Sequence, residues 1–299
     1  MALLAVGSIA LDTVQTPHGV VEDVLGGSAT YFSYAASFFT PVRLVGVVGE
    51  DFPPEHRELL AARDIDLSGL EVVGGQTFRW RGSYEGAMNA ATTLDVQLNV
   101  FGSFEPKIPA GFRDSKFVFL GNASPRLQKL VLDQLDSPEL AVNDTMNFYI
   151  ENERDSLVNL LGQLDGIVIN DAEAVQLTGT HNLVAAGRKI LALGTKFVVI
   201  KKGEHGAVLF DGDTIFCIPA YPLDEVVDPT GAGDSFAGGM MGYLASVGKI
   251  DSKTLRKALA YGTVVASFNV QGFSLTSFQR ISRADIDARF EEFETMMRF

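Results

Sequence analysis

The sequence has few of the residues that mark secreted, zinc-binding or membrane-spanning proteins. Its single cysteine, Cys217, excludes an internal disulfide and is typical of a reducing cytoplasm. Its 4 histidines show no metal-ligand spacing, so no zinc site is predicted. No apolar run approaches the ~18 residues of a transmembrane helix, and residues 1–7 lack the basic start of a signal peptide. We therefore expect a cytoplasmic location and no membrane partner.

Positive charge is also scarce. The 299 residues include 24 Lys and Arg against 37 Asp and Glu, which gives a formal net charge of −13. Such a surface repels nucleic acids, so none is expected as a partner. An anionic substrate therefore needs local cations or Mg²⁺ to bind. With 46 % hydrophobic residues the chain can bury a sizeable core, and its length fits a single α/β domain over residues 1–299.

Short apolar runs alternate with helix-like stretches along most of the chain. The runs predict strands near residues 3–9, 42–48, 117–120, 140–143, 166–169, 197–201, 207–210 and 214–217. The other stretches predict helices near residues 31–39, 55–63, 126–135, 156–164, 172–177, 183–193, 234–246, 252–268 and 283–297. Buried strands that alternate with helices indicate a mainly parallel sheet covered on both faces. Ligands of such folds bind beyond the carboxyl ends of the strands.

Two segments, residues 13–24 and 70–100, interrupt this alternation. In the second segment, residues 77–84 alternate between apolar and polar types, which indicates exposed strands with one buried face. We expect the two segments to pair as a small separate sheet. An ordinary surface hairpin is the alternative.

The stretch VDPTGAGDSFAGG at residues 227–239 carries the clearest chemical signal. Gly231, Ala232 and Gly233 precede a run of apolar and small residues that predicts a helix. Backbone N–H groups at a helix N-terminus lack intrahelical partners and carry the positive end of the helix dipole. Because the loop has no bulky side chains, a phosphate group can reach these N–H groups.

Asp234 directly follows this glycine-rich loop. A carboxylate beside an anion site repels the anion, so its presence there needs another explanation. Accepting a proton is such a role. A small-molecule kinase needs at least a general base that takes a hydroxyl proton and, next to it, a site that binds the phosphoryl group. An aspartate that caps the helix is the structural alternative, and the residues alone do not separate the two.

Asn170 and Glu173 follow an apolar strand at a spacing that places both on one face of a first helical turn. Amide and carboxylate oxygens suit a partly hydrated Mg²⁺ ion. A capping box, with Asn170 as the cap and Glu173 reaching back, is the alternative that the residues alone favour.

The run DPTGAGDSFAGG resembles the C-terminal signature of the PfkB, or ribokinase-like, carbohydrate kinases. Other similarities follow in the family's order over nearly the whole chain: Gly26-Gly27 with the di-glycine, residues 46–51 with the G-x-x-G-x-D turn, residues 170–173 with N-x-x-E, and residues 202–206 with the nucleotide segment. The resemblance implies an α/β, ribokinase-like three-layer αβα sandwich with a mainly parallel central sheet. The small β-sheet would then be a lid over the acceptor site.

The resemblance also implies an ATP-dependent sugar kinase that uses Mg²⁺. Asp234 would be the general base, and backbone N–H groups would stabilise the transferring phosphoryl group, those of Gly231, Ala232 and Gly233. Asn170 and Glu173 would hold Mg²⁺, directly or through water. The residues near the nucleotide would be Lys202, Gly203, Gly206, Thr230, Asn269 and Gly272.

Further residues are implied for the acceptor site: Asp12, Gly26, Gly27, Tyr31 and Asn147. The acid at Asp12 would accept hydroxyl protons of the substrate in hydrogen bonds. Backbone carbonyls of Asp228 and Thr230 would bind a monovalent cation such as K⁺, as in some relatives. Two copies of the chain would pair through the β lid as a homodimer.

The sequence departs from the family at the acceptor site. Many sugar kinases carry an asparagine after the di-glycine, and Tyr31 occupies that place. Residues 144–147 resemble the family's D-x-N region only loosely, and Phe148 follows where a basic residue is frequent. A site without that cation is a poor receptor for a phosphorylated sugar, so an uncharged acceptor is expected. Arg79 and Arg81 would reverse this expectation if they point inward.

Three functions stay open at this point. The leading hypothesis is a kinase that phosphorylates a hydroxyl, preferably a primary one, of an uncharged sugar. A nucleoside kinase of the same fold is the nearest alternative, favoured if aromatic side chains stack on a base rather than pack in the fold: Phe78, Trp80, Tyr84 and Tyr31. A catalytically inactive regulator that binds a sugar or nucleotide is the third, and it would not need the intact acid and glycine loop.

Overall fold

The computed structural model describes residues 2–298, which form two β-sheets and the helices around them. The strands are β1 (Leu3–Val6), β2 (Ala10–Thr16), β3 (Gly19–Gly26), β4 (Val42–Gly49), β5 (Ile65–Val73), β6 (Phe78–Tyr84), β7 (Ala91–Gln97), β8 (Phe117–Leu120), β9 (Leu140–Asn143), β10 (Gly166–Asn170), β11 (Phe197–Lys201), β12 (Ala207–Asp211) and β13 (Thr214–Ile218). The α-helices are α1 (Ser28–Ala36), α2 (Pro54–Ala61), α3 (Pro125–Leu132), α4 (Asn147–Asn152), α5 (Arg154–Leu161), α6 (Asp171–Thr178), α7 (Leu183–Leu191), α8 (Ala232–Val247), α9 (Ser252–Asn269) and α10 (Arg283–Met296).

The larger sheet contains nine strands in the order β13-β12-β11-β10-β9-β8-β1-β4-β5. Neighbours from β11 through β5 run parallel, and β12 and β13 add an antiparallel edge. Strands such as β1 and β8 are buried at every residue, as a sheet covered on both faces requires.

Alternate residues of each central strand face opposite helical layers. Leu3 and Ala5 of β1 belong to a core shared with α1, α8, α9 and α10. Leu4 and Val6 belong to a second core shared with α3, α5, α6 and α7. This period of two puts one hydrophobic core on each side of the sheet and confirms the predicted three-layer αβα sandwich.

The smaller sheet has the order β3-β2-β6-β7. β2 pairs antiparallel with β3 and parallel with β6, while β6 and β7 form an antiparallel hairpin. The predicted segment 70–100 begins too early, because residues 70–73 belong to β5 and pair with β4. As a partly exposed edge strand of the larger sheet, β5 carries the same alternation as an exposed strand.

The parallel strands end along one edge of the larger sheet, where α8 also begins. β1 and β8 contact α8, and Asp144 after β9 and Lys201 at the end of β11 lie near residues 231–234. No helix within residues 2–298 is both long and apolar enough to span a bilayer.

Candidate active site

The anion loop, residues 231–233, lies at the start of α8 and packs on Tyr31. Gly231 has a φ of 73°, and a Cβ at this position would stand 2.3 Å from the Tyr31 ring. The N–H of Ala232 donates to the carbonyl of Pro229 at 3.1 Å. The sequence predicts that this N–H donates a hydrogen bond to a phosphate group. In the structure the N–H is instead bonded within the turn that leads into α8. The other two loop amides remain the candidate donors.

Asp234 lies in the first turn of α8 and keeps part of its surface accessible. Its carboxyl group hydrogen-bonds that of Asp144, which follows β9 and is 7 % exposed. Burial raises the pKa of Asp234, and the ammonium of Lys201 opposes this rise. Burial and the charge of Asp234 raise the pKa of Asp144 well above its usual range. Two carboxyl groups in contact share one proton, so Asp144 is neutral when Asp234 is ionised.

Lys201 supplies positive charge to this group of acids. It is the last residue of β11, and its Nζ lies 2.6 Å from where a Cβ on Gly233 would be. Lys201 lowers the pKa values of three carboxyl groups that surround it, those of Asp144, Glu173 and Asp234. Lys202 is the lysine that the sequence places near the nucleotide, and the structure places the Lys201 ammonium beside the anion loop.

A buried amide fixes the position of Asp144. Gln128 of α3 donates through Nε2 to three backbone carbonyls, at 3.1, 2.9 and 3.1 Å, those of Leu120, Gly121 and Asp144. Asn143 in turn donates to Gln128 Oε1 at 3.1 Å. These bonds tie the ends of β8 and β9 together and hold the Asp144 backbone at the site.

Asn170 and Glu173 form a capping box at the start of α6. Asn170 Oδ1 accepts from the N–H of Glu173 at 2.8 Å, and Glu173 Oε2 accepts from the N–H of Asn170 at 2.9 Å. The capping alternative is therefore present. Its two bonds use Oε2 of Glu173 and Oδ1 of Asn170. Burial raises the pKa of Glu173, and Lys201 and the capping bonds oppose it.

Four of the predicted acceptor residues come together around Asp12. The Asp12 carboxyl is 4 % exposed and accepts from the backbone of Gly27, and burial raises its pKa to about 8. A Cβ on Gly26 would stand 1.9 Å from Asp12 Oδ2, so only glycine fits there. The Tyr31 hydroxyl is buried and has no hydrogen-bond partner among the described residues. Burial and the nearby carboxylates raise the pKa of Tyr31 well above its usual range.

Asn147, the fifth predicted acceptor residue, lies elsewhere. It is exposed at the first residue of α4, and its carbonyl accepts from Gln176 at 3.2 Å. The loose D-x-N similarity points to this residue, but Asp144 is the member of the segment that reaches Asp234.

The predicted nucleotide segment forms a tight turn after β11. Gly203 and Gly206 have φ values of 54° and 80°, and the N–H of Lys202 donates to the Gly206 carbonyl at 2.7 Å. The positive φ angles explain why both positions are glycine. We call residues 202–206 the donor loop.

Asn269 supports the anion loop from the interior. It is 1 % exposed; its Nδ2 donates to the Thr230 carbonyl at 2.8 Å, and its Oδ1 accepts from Ser235 at 3.1 Å. The side chain that the sequence places beside the adenine is therefore engaged at both ends in holding the loop. Gly272 follows α9, where a Cβ would stand 2.5 Å from Ser277 Oγ. Thr230 donates its N–H to Asp228 at 2.9 Å.

Two site residues, Asp144 and Lys201, were not predicted from the sequence. The signal was available in the strand ends: Lys201 pairs with Asn170 at the last position of adjacent parallel strands, so their side chains share one edge. Asp144 follows β9, the next strand along. Within residues 2–298 no group of three or more His, Cys, Asp or Glu side chains is arranged to hold a metal ion.

Comparisons with known proteins agree with this geometry. Residues 3–280 match the pfkB family of carbohydrate kinases. The cytidine kinase of Thermococcus kodakarensis is 31 % identical over 249 residues, which cover 81 % of this chain and 88 % of that protein. A Burkholderia thailandensis nucleoside kinase solved with inosine superposes with a TM-score of 0.76 at 19 % identity, covering 97 % of this chain and 98 % of that one.

A further structure, an Escherichia coli protein assigned as a ribokinase II and solved with ATP and Mg²⁺, has a TM-score of 0.79 at 18 % identity. The superposition covers 97 % of this chain and 99 % of the Escherichia coli chain. The family match and the 31 % identity confirm the resemblance seen in the motifs. The chain therefore belongs to the pfkB family of carbohydrate kinases, phosphotransferases whose acceptor is an alcohol group.

Proposed function

We propose that this kinase transfers the γ-phosphoryl group of ATP to a hydroxyl, preferably a primary one, of an uncharged sugar or sugar-like molecule. The observation that carries the proposal is the position of Asp234, accessible and directly beside the amides of the anion loop. A base within reach of both an alcohol and a phosphoryl cradle is what an in-line transfer to a hydroxyl requires.

In the proposed reaction the acceptor lies against Gly26 and Gly27 and hydrogen-bonds Asp12 and Tyr31. Asp234 takes the proton of the attacking hydroxyl. The charge of the transferring group is stabilised by the free amides of the anion loop and by Lys201.

Mg²⁺ is proposed at the start of α6. The carboxylate of Glu173 and the amide oxygen of Asn170 are ligands that suit an ion that keeps most of its waters. When bound there, Mg²⁺ neutralises charge on the phosphates. Lys201 lies beside the same carboxylate and orients the phosphates from the β11 side.

An uncharged acceptor is supported by the lid arginines. Arg79 pairs with Asp23 and with Asp51, the latter at 2.9 Å, and Arg81 is exposed. A phosphorylated sugar would need a free cation near Asp12, and Arg79 is already neutralised. Phe148, where relatives often carry a basic residue, is 55 % exposed and apolar.

A nucleoside acceptor is the second candidate, favoured by the 31 % identity to a cytidine kinase. Of the four aromatic residues considered, Phe78 stacks on Phe101 at 5.6 Å and belongs to the core. Tyr84 and Trp80 are only partly buried, and Tyr84 reaches Thr230 with its hydroxyl. These two side chains are the ones available to contact a base.

The test is a phosphorylation screen with ATP and Mg²⁺ against free pentoses, hexoses and nucleosides, with product identification by mass spectrometry. We expect phosphorylation of an uncharged acceptor. A preference for nucleosides over the free sugars would select the second candidate. Ligand-induced melting shifts without any product would identify an inactive regulator and contradict the kinase proposal.

Gly26→Ala is expected to raise the KM for the acceptor by about tenfold, the effect of losing one hydrogen bond. The new Cβ would displace the Asp12 carboxyl, which it would approach to 1.9 Å. Gly74→Ala is the matched control, since a Cβ there has no atom within 4 Å. Steady-state kinetics over acceptor concentration measure the effect, and an unchanged KM would remove Asp12 from the acceptor site.

Four further proposals concern a monovalent cation, assembly, location and domain organisation. A monovalent cation such as K⁺ is proposed near Asp228, whose Oδ2 is buried without a hydrogen-bond partner among the described residues; replacing K⁺ by tetramethylammonium should then slow turnover. The small sheet is proposed as a lid that pairs two copies through its exposed Val20, Leu94 and Val96. Sedimentation equilibrium would show the dimer.

A cytoplasmic location and a single domain over residues 1–299 are also proposed.

A further inference from the structure

The small sheet touches the rest of the protein on both sides of the anion loop. At the end of β6 the hydroxyl of Tyr84 lies 3.3 Å from Thr230 Oγ1, directly before the loop. In the turn between β6 and β7, Asn89 Nδ2 donates to Glu204 Oε1 at 3.0 Å. Glu204 belongs to the donor loop, so one hairpin contacts both Thr230, directly before the anion loop, and the donor loop.

Asn89 lies against the donor loop through both ends of its amide. Besides its bond to Glu204, its Oδ1 lies 3.2 Å from where a Cβ on Gly203 would be. Glu204 is 60 % exposed, and His205 lies 3.8 Å from its carboxylate. Asn89 is therefore the side chain of the small sheet that orders this part of the donor loop.

The turn that carries Asn89 contains two residues with positive φ angles, Gly86 and Met88. Met88 has a φ of 55°, in the left-handed region that costs a non-glycine residue roughly 1 kcal/mol. Gly86 also has a positive φ, of 58°, and the N–H of Met88 donates to the Glu85 carbonyl at 3.0 Å. A turn held in this conformation presents Asn89 in a fixed direction toward the donor loop.

We propose that Asn89 is a positioning residue of the donor site, supplied by the small sheet. It holds the donor loop in the shape that receives the nucleotide phosphates. The inference rests on the proposed function, since it takes residues 202–206 to be the nucleotide segment.

The experiment uses three variants of the full chain. Asn89→Asp places a carboxylate against Glu204, and we expect the Kd for an ATP analogue with Mg²⁺, and the KM for ATP, to rise about fivefold while kcat changes little. Glu204→Gln keeps an acceptor for the Asn89 amide and should behave as the wild type. The double variant reverses donor and acceptor, because the glutamine amide can donate to the new aspartate, and it should recover nucleotide affinity.

Gln97→Glu is the matched control. Gln97 donates to Asp95 at 2.7 Å on β7, so this change creates the same carboxylate pair on the same sheet, away from the donor loop. The proposal is overturned if Asn89→Asp leaves the Kd unchanged, if Gln97→Glu raises it equally, or if the double variant does not recover. A wild-type chain that binds no ATP analogue would overturn the proposed function itself, which is a separate outcome.

Discussion

Asp234→Asn is expected to lower kcat by about a thousandfold while the protein stays folded, because a positioned general base contributes this much to proton transfer. Asparagine has the shape of aspartate but cannot accept the hydroxyl proton. Substrate binding should change little, since the anion loop and Asp12 are untouched. The loss should therefore appear in kcat more than in KM.

The stability of this variant separates catalysis from folding. Burial disfavours the ionised form of Asp234, so replacing it by a neutral side chain removes a buried charge and the melting temperature should hold or rise. Asp155→Asn is the matched control, since Asp155 is an exposed acid in the first turn of α5. Full activity in Asp234→Asn would show that another group accepts the proton, and the proposed mechanism would be abandoned.

The sequence predicts the layers of the fold well, because the hydrophobicity of the strands shows directly that they are buried. Runs such as LLAV and FVFL are apolar throughout, which only a sheet covered on both faces accepts. The small sheet was placed less accurately: β5 has the alternation of an exposed strand but pairs with β4. The alternation of apolar and polar residues indicates exposure, but it does not indicate which sheet a strand joins.

The same limit applies to the site. Asp234 and the anion loop form one contiguous motif, so their proximity could be predicted. The surroundings of Lys201 come from separate strands, and only the strand order brings them to one place. The contact between Asn89 and Glu204 spans 115 positions of the sequence and depends on how the two sheets are packed.

Lys201→Met is the second change with a large expected effect, a fall in kcat of about a hundredfold, similar to the loss of one donor to a transition-state charge. Methionine keeps the length and apolar stem of lysine but removes the ammonium beside Gly233. The transferring phosphoryl group then loses a cation. The neighbouring carboxylates of Glu173 and Asp234 also repel the phosphates without compensation.

The pH dependence of kcat/KM gives this variant a second readout. Asp234 acts as a base only when ionised, so activity falls as pH drops through its pKa. Burial raises that pKa and Lys201 lowers it, so removal of Lys201 raises it further and the acid limb moves to higher pH. Lys196→Met is the matched control, because Lys196 precedes β11 and forms an exposed pair with Asp165.

Lys202→Met completes the comparison, since Lys202 lies in the predicted nucleotide segment. If the cation acts from the end of β11, Lys201→Met shifts the acid limb and Lys202→Met does not, because no carboxyl group of the site has its pKa lowered by Lys202. The opposite pattern, with the rate loss and the pH shift in Lys202→Met, would return the phosphate contact to the donor loop and reduce Lys201 to a structural partner of Glu173.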